Sequence, residues 1–543
     1  MADGVERRGT LGWLLLAALA GAATLVVELA AVRLLAPWFG ASSGVWTNVI
    51  GVILLALALG YLAGARLAAR PRPERALGLV LLAAGLSAAW TPALARPVCS
   101  TFLPAGLSLH QAADLWIWGS LAASLCLFLP PALLLGAVGP LVVELVAVRR
   151  GGHAGSAGGR VLCASTLGSL AGTFATTHVL VPGLGLRASF VLAGLALALL
   201  GAAALLADGR ARAALVSLLL VGGGVSPALG EAGVLRRPAP SDGMRLLAEG
   251  ESSYQYLRVV EDSTWTTPLR LLQVNEGLDS YQSVWQERPG LLGPGFYYDL
   301  FALPAHLAHA RGTWRVLVLG LGAGTAFHVL EGAAPEGLAY ELAGVELDPR
   351  VIDLAREHFG LDTTAHDVLA GRDARLPLRA APPGVDLLVL DAYANQVEIP
   401  AHLCSVEFFG EAREKLAPGG WLAVNAGGFG AQDPVIVALG HTLARTFGTA
   451  LALRVPRARN WVLLARRDAP LPRPSREGAC VGDAWEVEGE LARGLVAPLR
   501  VPGSALWFED EPDARVLTDD LNPMERLQRR SLEEGLERLR DGT

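Results

Sequence analysis

Lysine is almost missing from this chain of 543 residues: Lys415 is the only one, so arginine supplies nearly all of the positive charge. Charged residues make up 18% of the chain and hydrophobic residues 52%, whereas an ordinary soluble domain has about 25% charged residues. The formal net charge of −6, with no dense Lys/Arg stripe in the C-terminal half, argues against a nucleic-acid partner. This composition is not that of an ordinary soluble protein.

Cysteine and clustered histidine are also scarce. The five cysteines are scattered and show neither a disulfide framework nor zinc spacing (Cys99, Cys126, Cys163, Cys404, Cys480). Five histidines of the C-terminal half lack metal-ligand spacing with partners (His306, His309, His358, His366, His402). We therefore predict no metal site, and at most a loop or gate role for His402.

Long apolar runs are what the chain has in excess, and they are confined to its N-terminal part. A membrane-spanning helix needs about 20 apolar residues. The first run carries only Glu28 and Arg33, and the other six contain no charged residue, which predicts about seven hydrophobic helices (11–36, 43–65, 76–95, 115–143, 161–186, 188–207, 213–230). We expect a multi-pass helical domain in the lipid bilayer of the cell (inner) membrane over residues 1–230, then a linker over 231–250.

A glycine-rich loop follows the apolar strand Val316 to Leu319. Glycines let a backbone approach a phosphate or nucleoside closely, and an acidic residue about 20 positions later can hold ribose hydroxyls. The three glycines are Gly320, Gly322 and Gly324, and Glu346 closes the second strand. Asp373 and Asp391 then stand at later strand ends, so this ordered series predicts a nucleotide-binding unit.

Strand and helix patterns alternate from Val316 to about residue 466, with the last two strands predicted near 449–454 and 460–466. They predict a doubly wound parallel sheet of the Rossmann type, in a domain over 311–543 that includes a C-terminal tail. The alternating stretches after residue 251 predict a small antiparallel sheet, and residues 293–307 a helix, within a subdomain over 251–310. The predicted fold class is thus a multi-pass α-helical membrane domain followed by a doubly wound α/β Rossmann-like domain with a small N-terminal β-sheet.

Arginines fix the expected orientation of the membrane domain. They follow the second and fourth runs and precede the seventh, and the positive-inside rule makes that side cytoplasmic (Arg66, Arg70, Arg72, Arg75, Arg149, Arg150, Arg160, Arg210, Arg212). Seven full spans would then put the nucleotide unit outside, where its ligand is scarce. Pro130-Pro131 in the fourth run, or the glycines and proline of the seventh, would allow a broken or re-entrant segment. We predict a cytoplasmic C-terminal unit.

The whole chain resembles membrane-fused spermidine synthase-like proteins, in which a multi-pass domain precedes an aminopropyltransferase-type Rossmann domain. The resemblance is carried by Glu251-Ser-Ser-Tyr254-Gln255, Phe296-Tyr297-Tyr298-Asp299, the glycine loop, Val345-Glu346-Leu-Asp348-Pro349, Asp373-Ala374-Arg375, Leu390-Asp391-Ala392-Tyr393, Ile399-Pro400-Ala-His402-Leu403, Pro418-Gly419-Gly420 and Leu517-Thr518-Asp519-Asp520-Leu-Asn-Pro523. The resemblance implies a Rossmann-like domain of the S-adenosylmethionine-methyltransferase type, and motifs such as Val345-Glu346-Leu-Asp348-Pro349 and Pro418-Gly419-Gly420 alone would also fit many methyltransferases.

The resemblance implies roles for these positions. Gln255 and Glu346 would contact the nucleoside, Asp373 with Ala374 the adenine, and Asp391 would be the base that receives a proton from the attacking amine. The residues on the amine side would be Tyr254, Tyr297, Tyr298, Asp299 and Tyr393, although Tyr254 and Tyr297 would also suit a protein core. The implied cosubstrate is decarboxylated S-adenosylmethionine, or S-adenosylmethionine itself, and the implied partner is a small-molecule amine or another small substrate. A homodimer is left open.

Departures from the family pattern fall on the amine side. Ala323 and Ala394 stand where spermidine synthases carry aspartates, and Tyr297-Tyr298-Asp299 replaces Tyr-His-Glu. Putrescine is therefore an unfavourable acceptor, because each lost charge pair costs on the order of 1–3 kcal/mol. Three functions stay open: aminopropyl transfer, methyl transfer from S-adenosylmethionine, and a transporter or sensor that binds nucleoside without chemistry.

Glu28 and Arg33 are expensive in hydrocarbon, at about 2.5–3.5 kcal/mol each by insertion scales unless paired or hydrated. They should face the bundle and have different partners, with Glu144, Asn48 and Trp46 as candidates. Either they make structural contacts in a plain anchor, or Glu28 is the counter-charge of a site for a cationic amine. Gly60 with Gly64, and Gly168 with Gly172, predict close helix packing.

Overall fold

The structure is a computed structural model that describes residues 2–39, 43–103, 109–150, 154–207, 243–252, 254–275, 281–288, 290–393, 399–473 and 480–541. The chain divides into two units. The first holds the N-terminal helices together with residues 249–257 and Asn275. The second holds the remaining described residues of the C-terminal half.

Long apolar helices make up the first unit: α1 (Ala2–Phe39), α2 (Ser43–Ala68), α3 (Pro73–Phe102), α4 (Leu109–Arg150), α5 (Ala154–Ala175) and α6 (Val181–Ala207). Within the described residues, five of them are long and apolar enough to cross a membrane, all except α5. The predicted seventh run, 213–230, lies outside the described residues. The membrane helices expected from composition are thus confirmed as candidates for five of the seven runs.

Two predicted interruptions have different outcomes. Helix α4 runs without a break through Pro130, Pro131 and Pro140, so the broken fourth segment is wrong. The predicted boundary between the runs 161–186 and 188–207 is real: a π-helix (Thr176–Leu180) joins α5 to α6, and Gly185 inside α6 has φ 81 and ψ 168, outside the helical region. Glycine tolerates this backbone without a Cβ clash, so the chain bends there.

Small residues bring the helices of the first unit into contact, as predicted. A Cβ on Gly60 or Gly64 would collide with the backbone of α4 at Leu133 or Ala137. A Cβ on Gly168 would likewise collide with the α1 backbone at Ala18. These glycines therefore allow the close approach that van der Waals packing between membrane helices requires.

The polar residues of the first unit find partners that the sequence did not indicate. Asn48 donates hydrogen bonds of 2.8 Å to the Ile117 carbonyl and 2.9 Å to the Ser120 hydroxyl, which ties α2 to α4. Arg33 is attracted electrostatically to Glu251, and the Leu186 amide donates to the Glu251 carboxylate at 3.4 Å. Arg33 and Leu186 lie near the helix ends remote from the arginine-rich segments of this unit.

A small four-stranded sheet has the order β1 (Met244–Glu251), β2 (Tyr256–Asp262), β3 (Leu269–Val274) and β4 (Ser283–Trp285). Strand β1 begins inside the predicted linker 231–250, so the linker was predicted too long. The predicted helix over 293–307 begins only at Tyr297, because Gly293 and Gly295 have φ of 101 and 110. A 3-10 helix (Tyr297–Phe301) and α7 (Leu303–Leu307) follow.

The main sheet of the second unit has eight strands within the described residues. They are β5 (Gly312–Leu319), β6 (Leu338–Glu346), β7 (Asp367–Ala370), β8 (Val385–Leu390), β9 (Leu416–Gly427), β10 (Thr449–Arg454), β11 (Asn460–Arg466) and β12 (Ala505–Glu509). Their order is β12-β10-β11-β9-β8-β5-β6-β7. Helices connect and flank them: α8 (Thr325–Gly332), α9 (Pro349–His358), α10 (Arg375–Ala380), α11 (Val406–Lys415), α12 (Pro434–Phe447), α13 (Val481–Ala484), α14 (Gly489–Val496) and α15 (Met524–Asp541).

The sheet is mixed, which corrects the prediction of a wholly parallel one. Strands β5 to β9 pair in parallel, but β11 pairs antiparallel with both β9 and β10, and β12 is antiparallel to β10. A parallel crossover needs a dozen or more residues, and only residues 455–459 connect β10 to β11. The parallel part remains Rossmann-like, so its strand ends carry side chains to one edge, where ligands bind in such folds.

Candidate active site

The glycine loop lies between β5 and α8, as predicted. Gly320 has φ 84, and a Cβ there would collide with the backbone of Asp391 and Ala392 at the end of β8. Gly322 has φ 56 and faces the Ser283 hydroxyl, and Gly324 has φ 89 at the start of α8. Glycine fits these backbone conformations and close contacts without a Cβ clash, so the loop can hold the ends of β5 and β8 together.

Glu346 closes β6 against this loop. One carboxylate oxygen accepts the Gly322 amide at 2.9 Å, and the other accepts the Asp348 amide at 2.9 Å. Burial raises the pKa of Glu346 to about 6, although both amide hydrogen bonds oppose the rise. Asp348 in turn caps α9 by accepting the Arg350 amide at 3.0 Å. The carboxylate predicted to hold ribose hydroxyls is thus oriented beside the glycine loop.

Strand β4 closes the other side of the loop. The Ala323 amide donates to the Ser283 hydroxyl at 2.8 Å. Thr325 exchanges hydrogen bonds with the backbone of Val284, donating at 2.9 Å and accepting at 3.0 Å. Ala323, which replaces an aspartate of the family pattern, is itself buried. The loop is therefore fixed from both sides before any ligand binds.

Asp391 follows β8, and its carboxylate accepts hydrogen bonds from neutral side chains. Its carboxylate accepts the Tyr297 hydroxyl at 3.1 Å and the Asn425 side-chain amide at 2.8 Å. Burial raises the pKa of Asp391 to about 7, with the two hydrogen bonds lowering it and the negative charge of Glu346 raising it. A carboxylate with a pKa near neutrality can take up a proton and release it at physiological pH.

Tyrosines surround the carboxylate. The rings of Tyr297 and Tyr298 stack with centroids 4.0 Å apart, and both residues are buried. The Tyr298 hydroxyl donates to the Gln282 carbonyl at 2.8 Å, and the Tyr393 hydroxyl donates to the Asn425 carbonyl at 3.2 Å. Burial raises the pKa of all three phenols, so they remain neutral. They form an aromatic wall that offers hydroxyls but no negative charge.

Asp299 is used by its own loop. Its two carboxylate oxygens accept the amides of Leu292 and Gly293, each at 2.8 Å. Burial raises the pKa of Asp299 to about 6 against these hydrogen bonds. Asp299, which the resemblance places on the amine side, therefore fixes the backbone of residues 292–293 through these two hydrogen bonds.

Asp373 lies near the edge of the sheet with His402. The His402 Nε2 lies 2.8 Å from one Asp373 oxygen, and the other oxygen accepts the Arg375 amide at 3.0 Å. Ala374 is buried beside it. The histidine predicted to be a loop or gate residue is therefore the hydrogen-bonding partner of the carboxylate predicted to recognise adenine.

Arg375 links this segment to the C-terminal tail. Its guanidinium bonds to Glu411 at 2.7 Å, to Asp519 at 2.7 Å and to the His402 carbonyl at 3.1 Å. The two guanidinium groups of Arg375 and Arg379 hold the pKa of Glu411 at about 2. This cluster holds the tail motif against the His402 segment.

Gln255 and Tyr254 belong to the first unit, in the turn before β2. The backbone amide of Gln255 donates to the Ser252 hydroxyl at 3.0 Å, and the backbone carbonyl of Gln255 accepts the Ser252 amide at 2.9 Å. Tyr254 is 47% exposed, so the alternative of a core aromatic is wrong for it. The nucleoside and amine roles of these two residues stay predictions.

The sequence did not indicate Asn425 and Asn460. Asn460 at the start of β11 donates to the Asn425 side-chain oxygen at 2.9 Å, so the amide of Asn425 turns its nitrogen toward Asp391. Asn425 is buried near the end of β9. The signal that could have identified Asn425 is a polar residue near the end of an apolar strand, which is how Asp391 was predicted. Within the described residues, no cluster of His, Cys, Asp and Glu could hold a metal ion.

Comparison with known proteins decides the family. The protein named Polyamine aminopropyltransferase 2 from Streptomyces coelicolor is 30% identical over 497 residues, which cover 83% of this chain and 84% of that protein. This chain belongs to the polyamine aminopropyltransferase family. The match spans both halves of the sequence, as the motif-based resemblance predicted.

Other relatives cover less. A probable polyamine aminopropyl transferase from Bifidobacterium longum is 33% identical over 294 residues, 52% of this chain and 62% of that protein, so the chain spans less than two thirds of its length. The crystal structure of a probable spermidine synthase from Corynebacterium glutamicum aligns with a TM-score of 0.40 and 21% identity, covering 51% of this chain and 97% of that one. No protein-family model matches the chain.

Proposed function

We propose that the protein transfers an aminopropyl group from decarboxylated S-adenosylmethionine to an amine, with Asp391 as the base. The observation that carries this proposal is the position of Asp391 beside the glycine loop. Its carboxylate accepts hydrogen bonds from Tyr297 and Asn425, and burial raises its pKa to about 7. The polyamine aminopropyltransferase named above supports the reaction class.

The nucleoside side of the site is assembled from the glycine loop, Glu346 and Asp373. Carboxylate oxygens accept hydrogen bonds from ribose hydroxyls, and an acidic residue at the end of the second strand has this role in dinucleotide sites. Asp373 would accept a hydrogen bond from the amino group of adenine, while one of its carboxylate oxygens stays within hydrogen-bond distance of the His402 ring. The donor is a cosubstrate, and its sulfonium would then face the end of β8.

The chemistry needs a free amine. An ammonium ion has no lone pair, so a proton must leave before or during the attack on the aminopropyl carbon. As the carbon–nitrogen bond forms, the carbon–sulfur bond breaks and its electron pair returns to sulfur, which releases methylthioadenosine. Asp391 accepts the proton. A cation entering the site would favour the ionised form of Asp391 and thereby lower its pKa, which prepares the base as the substrate binds.

The donor test compares two nucleosides. Purified full-length protein is incubated with decarboxylated S-adenosylmethionine or with S-adenosylmethionine, and an amine mixture. Aminopropyl transfer predicts methylthioadenosine from the first donor only. Release of S-adenosylhomocysteine from the second donor would identify a methyltransferase instead. Tight nucleoside binding without either product would favour the transporter or sensor alternative.

We also propose that the protein lies in the cell membrane, but two arguments about orientation disagree. The positive-inside rule puts the arginine-rich helix ends in the cytoplasm and hence Ser252, which adjoins Glu251, outside. The supply of a nucleoside donor favours a cytoplasmic catalytic unit, as predicted from the sequence. Labelling of Ser252→Cys in a cysteine-free background with a membrane-impermeant maleimide decides: protection in intact cells supports the cytoplasmic placement, and labelling refutes it.

The first unit would be either an anchor or a site for a cationic amine, with Glu28 as counter-charge. Glu28→Gln in liposomes distinguishes them. Loss of amine uptake at unchanged thermal stability supports the amine site, and lower stability with unchanged amine handling supports the anchor.

A further inference from the structure

Asp373, between β7 and α10, has a donor on each of its carboxylate oxygens. One oxygen accepts the backbone amide of Arg375 at 3.0 Å, and the other lies 2.8 Å from the His402 Nε2. Because a carboxylate only accepts hydrogen bonds, the ring proton of His402 is on Nε2. Donors on both oxygens fix the plane of the carboxylate, although 49% of the Asp373 side chain is exposed. A ligand thus meets a carboxylate whose direction is already set.

This carboxylate stands at the same sheet edge as Glu346. Strands β6 and β7 pair in parallel with Glu346 opposite Ala370, and the Gly371 amide donates to the Glu346 carbonyl at 2.9 Å. Asp373 follows two residues after Gly371. A nucleoside bound through its ribose at Glu346, as proposed above, would direct its base along this edge toward Asp373.

A carboxylate held in this way can recognise only some ligand groups. It has about four acceptor positions, and its contacts with Arg375 and His402 use two of them. The others accept a donor from the ligand. The 6-amino group of adenine is a donor, whereas the 6-carbonyl of a 6-oxopurine is a second acceptor that leaves the carboxylate unpaired. Discrimination between the two bases therefore depends on how firmly the carboxylate is held.

Two groups hold the backbone of the segment that carries His402. The Arg375 guanidinium donates to the His402 carbonyl at 3.1 Å, and the Asn522 side-chain amide donates to the Ala401 carbonyl at 2.7 Å. Arg375 also donates two hydrogen bonds to the Asp519 carboxylate, at 2.8 Å and 2.7 Å. Asp519 and Asn522 both belong to the tail motif, residues 517–523, which is thereby joined to the His402 segment.

We propose that His402 is a positioning residue that sets the base specificity of the nucleoside site, and that residues 517–523 hold it in place. The inference rests on the proposed nucleoside site and deepens it. Asp373 contacts the 6-amino group, and His402 acts through Asp373. Without the His402 donor the carboxylate can turn, because the hydrogen bond that fixes one of its oxygens is gone, and the contrast between an amino and an oxo group is reduced.

Two ligands that differ in the group at position 6 test this on the full-length protein: methylthioadenosine and its 6-oxo analogue, methylthioinosine. Calorimetry should show that the parent binds the 6-amino nucleoside about tenfold to a hundredfold more tightly. His402→Leu removes the donor and should weaken methylthioadenosine binding about tenfold with little change for the 6-oxo nucleoside, so that the ratio of affinities falls. His402→Gln keeps an N–H donor at similar reach and should restore most of the ratio.

His309→Asn is the matched control. His309 is an exposed histidine that precedes β5, at the opposite edge of the sheet from Asp373. Its replacement should change neither affinity. A control that lowers the ratio as His402→Leu does would overturn the inference, because the effect would then not depend on the contact with Asp373.

Asn522→Asp tests the role of the tail. Aspartate can still accept the Met524 amide, which Asn522 accepts at 3.2 Å, but it cannot donate to the Ala401 carbonyl. We expect the ratio of affinities to fall by about threefold, at a thermal midpoint close to that of the parent. A lower midpoint with the ratio of the parent would show that the tail only stabilises the fold, and would refute its role in specificity.

An unchanged ratio in His402→Leu, or an equal weakening of both nucleosides in His402→Leu and His402→Gln, would overturn the inference but leave aminopropyl transfer intact. Asp373→Asn checks the contact with the base: its amide can also donate, so the preference should shift toward the 6-oxo nucleoside. A preference that does not shift would mean that the base is recognised elsewhere, and the inference would be wrong. If the parent binds neither nucleoside, the proposed nucleoside site itself fails, and this inference fails with it.

Discussion

Replacing Asp391 by asparagine removes the base and the charge but keeps the size of the side chain. Asn425 can still donate to the new side-chain oxygen, so the surrounding hydrogen bonds need little rearrangement. A positioned general base contributes about 10² to 10⁴ in rate, which is about 3–5 kcal/mol of barrier at about 1.4 kcal/mol per tenfold. We expect kcat/KM of Asp391→Asn to fall by about that factor, with methylthioadenosine affinity changed less than about threefold.

The same substitution should not destabilise the fold above neutral pH. Burial raises the pKa of Asp391 from 3.8 to about 7, so the folded protein keeps a proton that the unfolded chain releases. The native state therefore loses stability as pH rises from about 4 to about 7, and the ionised carboxylate costs on the order of 2–4 kcal/mol above that range. Asparagine removes this cost, so the thermal midpoint of the variant at pH 8 should equal or exceed that of the parent.

Three assays on one preparation at pH 8 check these statements: product formation by mass spectrometry, methylthioadenosine binding by calorimetry, and the thermal midpoint by a melting scan. Asp386→Asn is the matched control, because Asp386 lies on the same strand and contacts only the Arg315 amide among its described hydrogen bonds, at 2.8 Å. The control should retain full activity. A fully active Asp391→Asn protein would refute the base, and a variant that loses nucleoside binding together with activity would refute the separation of the two roles.

Four further predictions concern the neighbours of this carboxylate. Because the pKa of Asp391 is about 7, kcat/KM of the parent should rise through pH 7 to a plateau in a pH–rate profile. The Asn425 hydrogen bond lowers this pKa, so Asn425→Ala should move the rise to higher pH. Glu346→Gln should weaken methylthioadenosine binding about tenfold or more by calorimetry, since hydrogen bonds to a charged group contribute about 1.5–3 kcal/mol. Gly320→Ala should lower the thermal midpoint and nucleoside affinity together, because its φ of 84 and the nearby backbone leave no room for a Cβ. Arg375→Met should destabilise the fold by about 1–3 kcal/mol in denaturant unfolding, since Asp519 loses its guanidinium partner while Glu411 keeps Arg379.

The sequence predicted the parallel part of the second unit well, for a physical reason. Apolar runs of strand length that end in an acid or a glycine indicate both the strand and the edge at which it ends. The predicted β10 and β11 bounds, 449–454 and 460–466, match the structure. The pairing direction of β11 was missed because it depends on the short connection at 455–459, and local periodicity is the same for parallel and antiparallel strands.

The sequence predicted the site residues that lie on loops after strands, and it missed the residues that orient them. Asp391 and Glu346 stand out because an acid at the end of an apolar strand is unusual. Asn425 looks like any polar residue until the fold brings it to Asp391, and the partners of Arg33 and Asp373 lie far along the chain. Contacts of this kind are set by tertiary packing, which one sequence does not reveal.

The most direct test of aminopropyl transfer is the mass balance of a single turnover. Purified full-length protein, in excess over decarboxylated S-adenosylmethionine labelled in its aminopropyl carbons, is mixed with a panel of amines and quenched at intervals. The account predicts that methylthioadenosine and one labelled aminopropylated amine appear together in a 1:1 ratio, and that both are lost in Asp391→Asn. Methylthioadenosine released without a labelled amine, or a labelled amine formed equally well by Asp391→Asn, would contradict it.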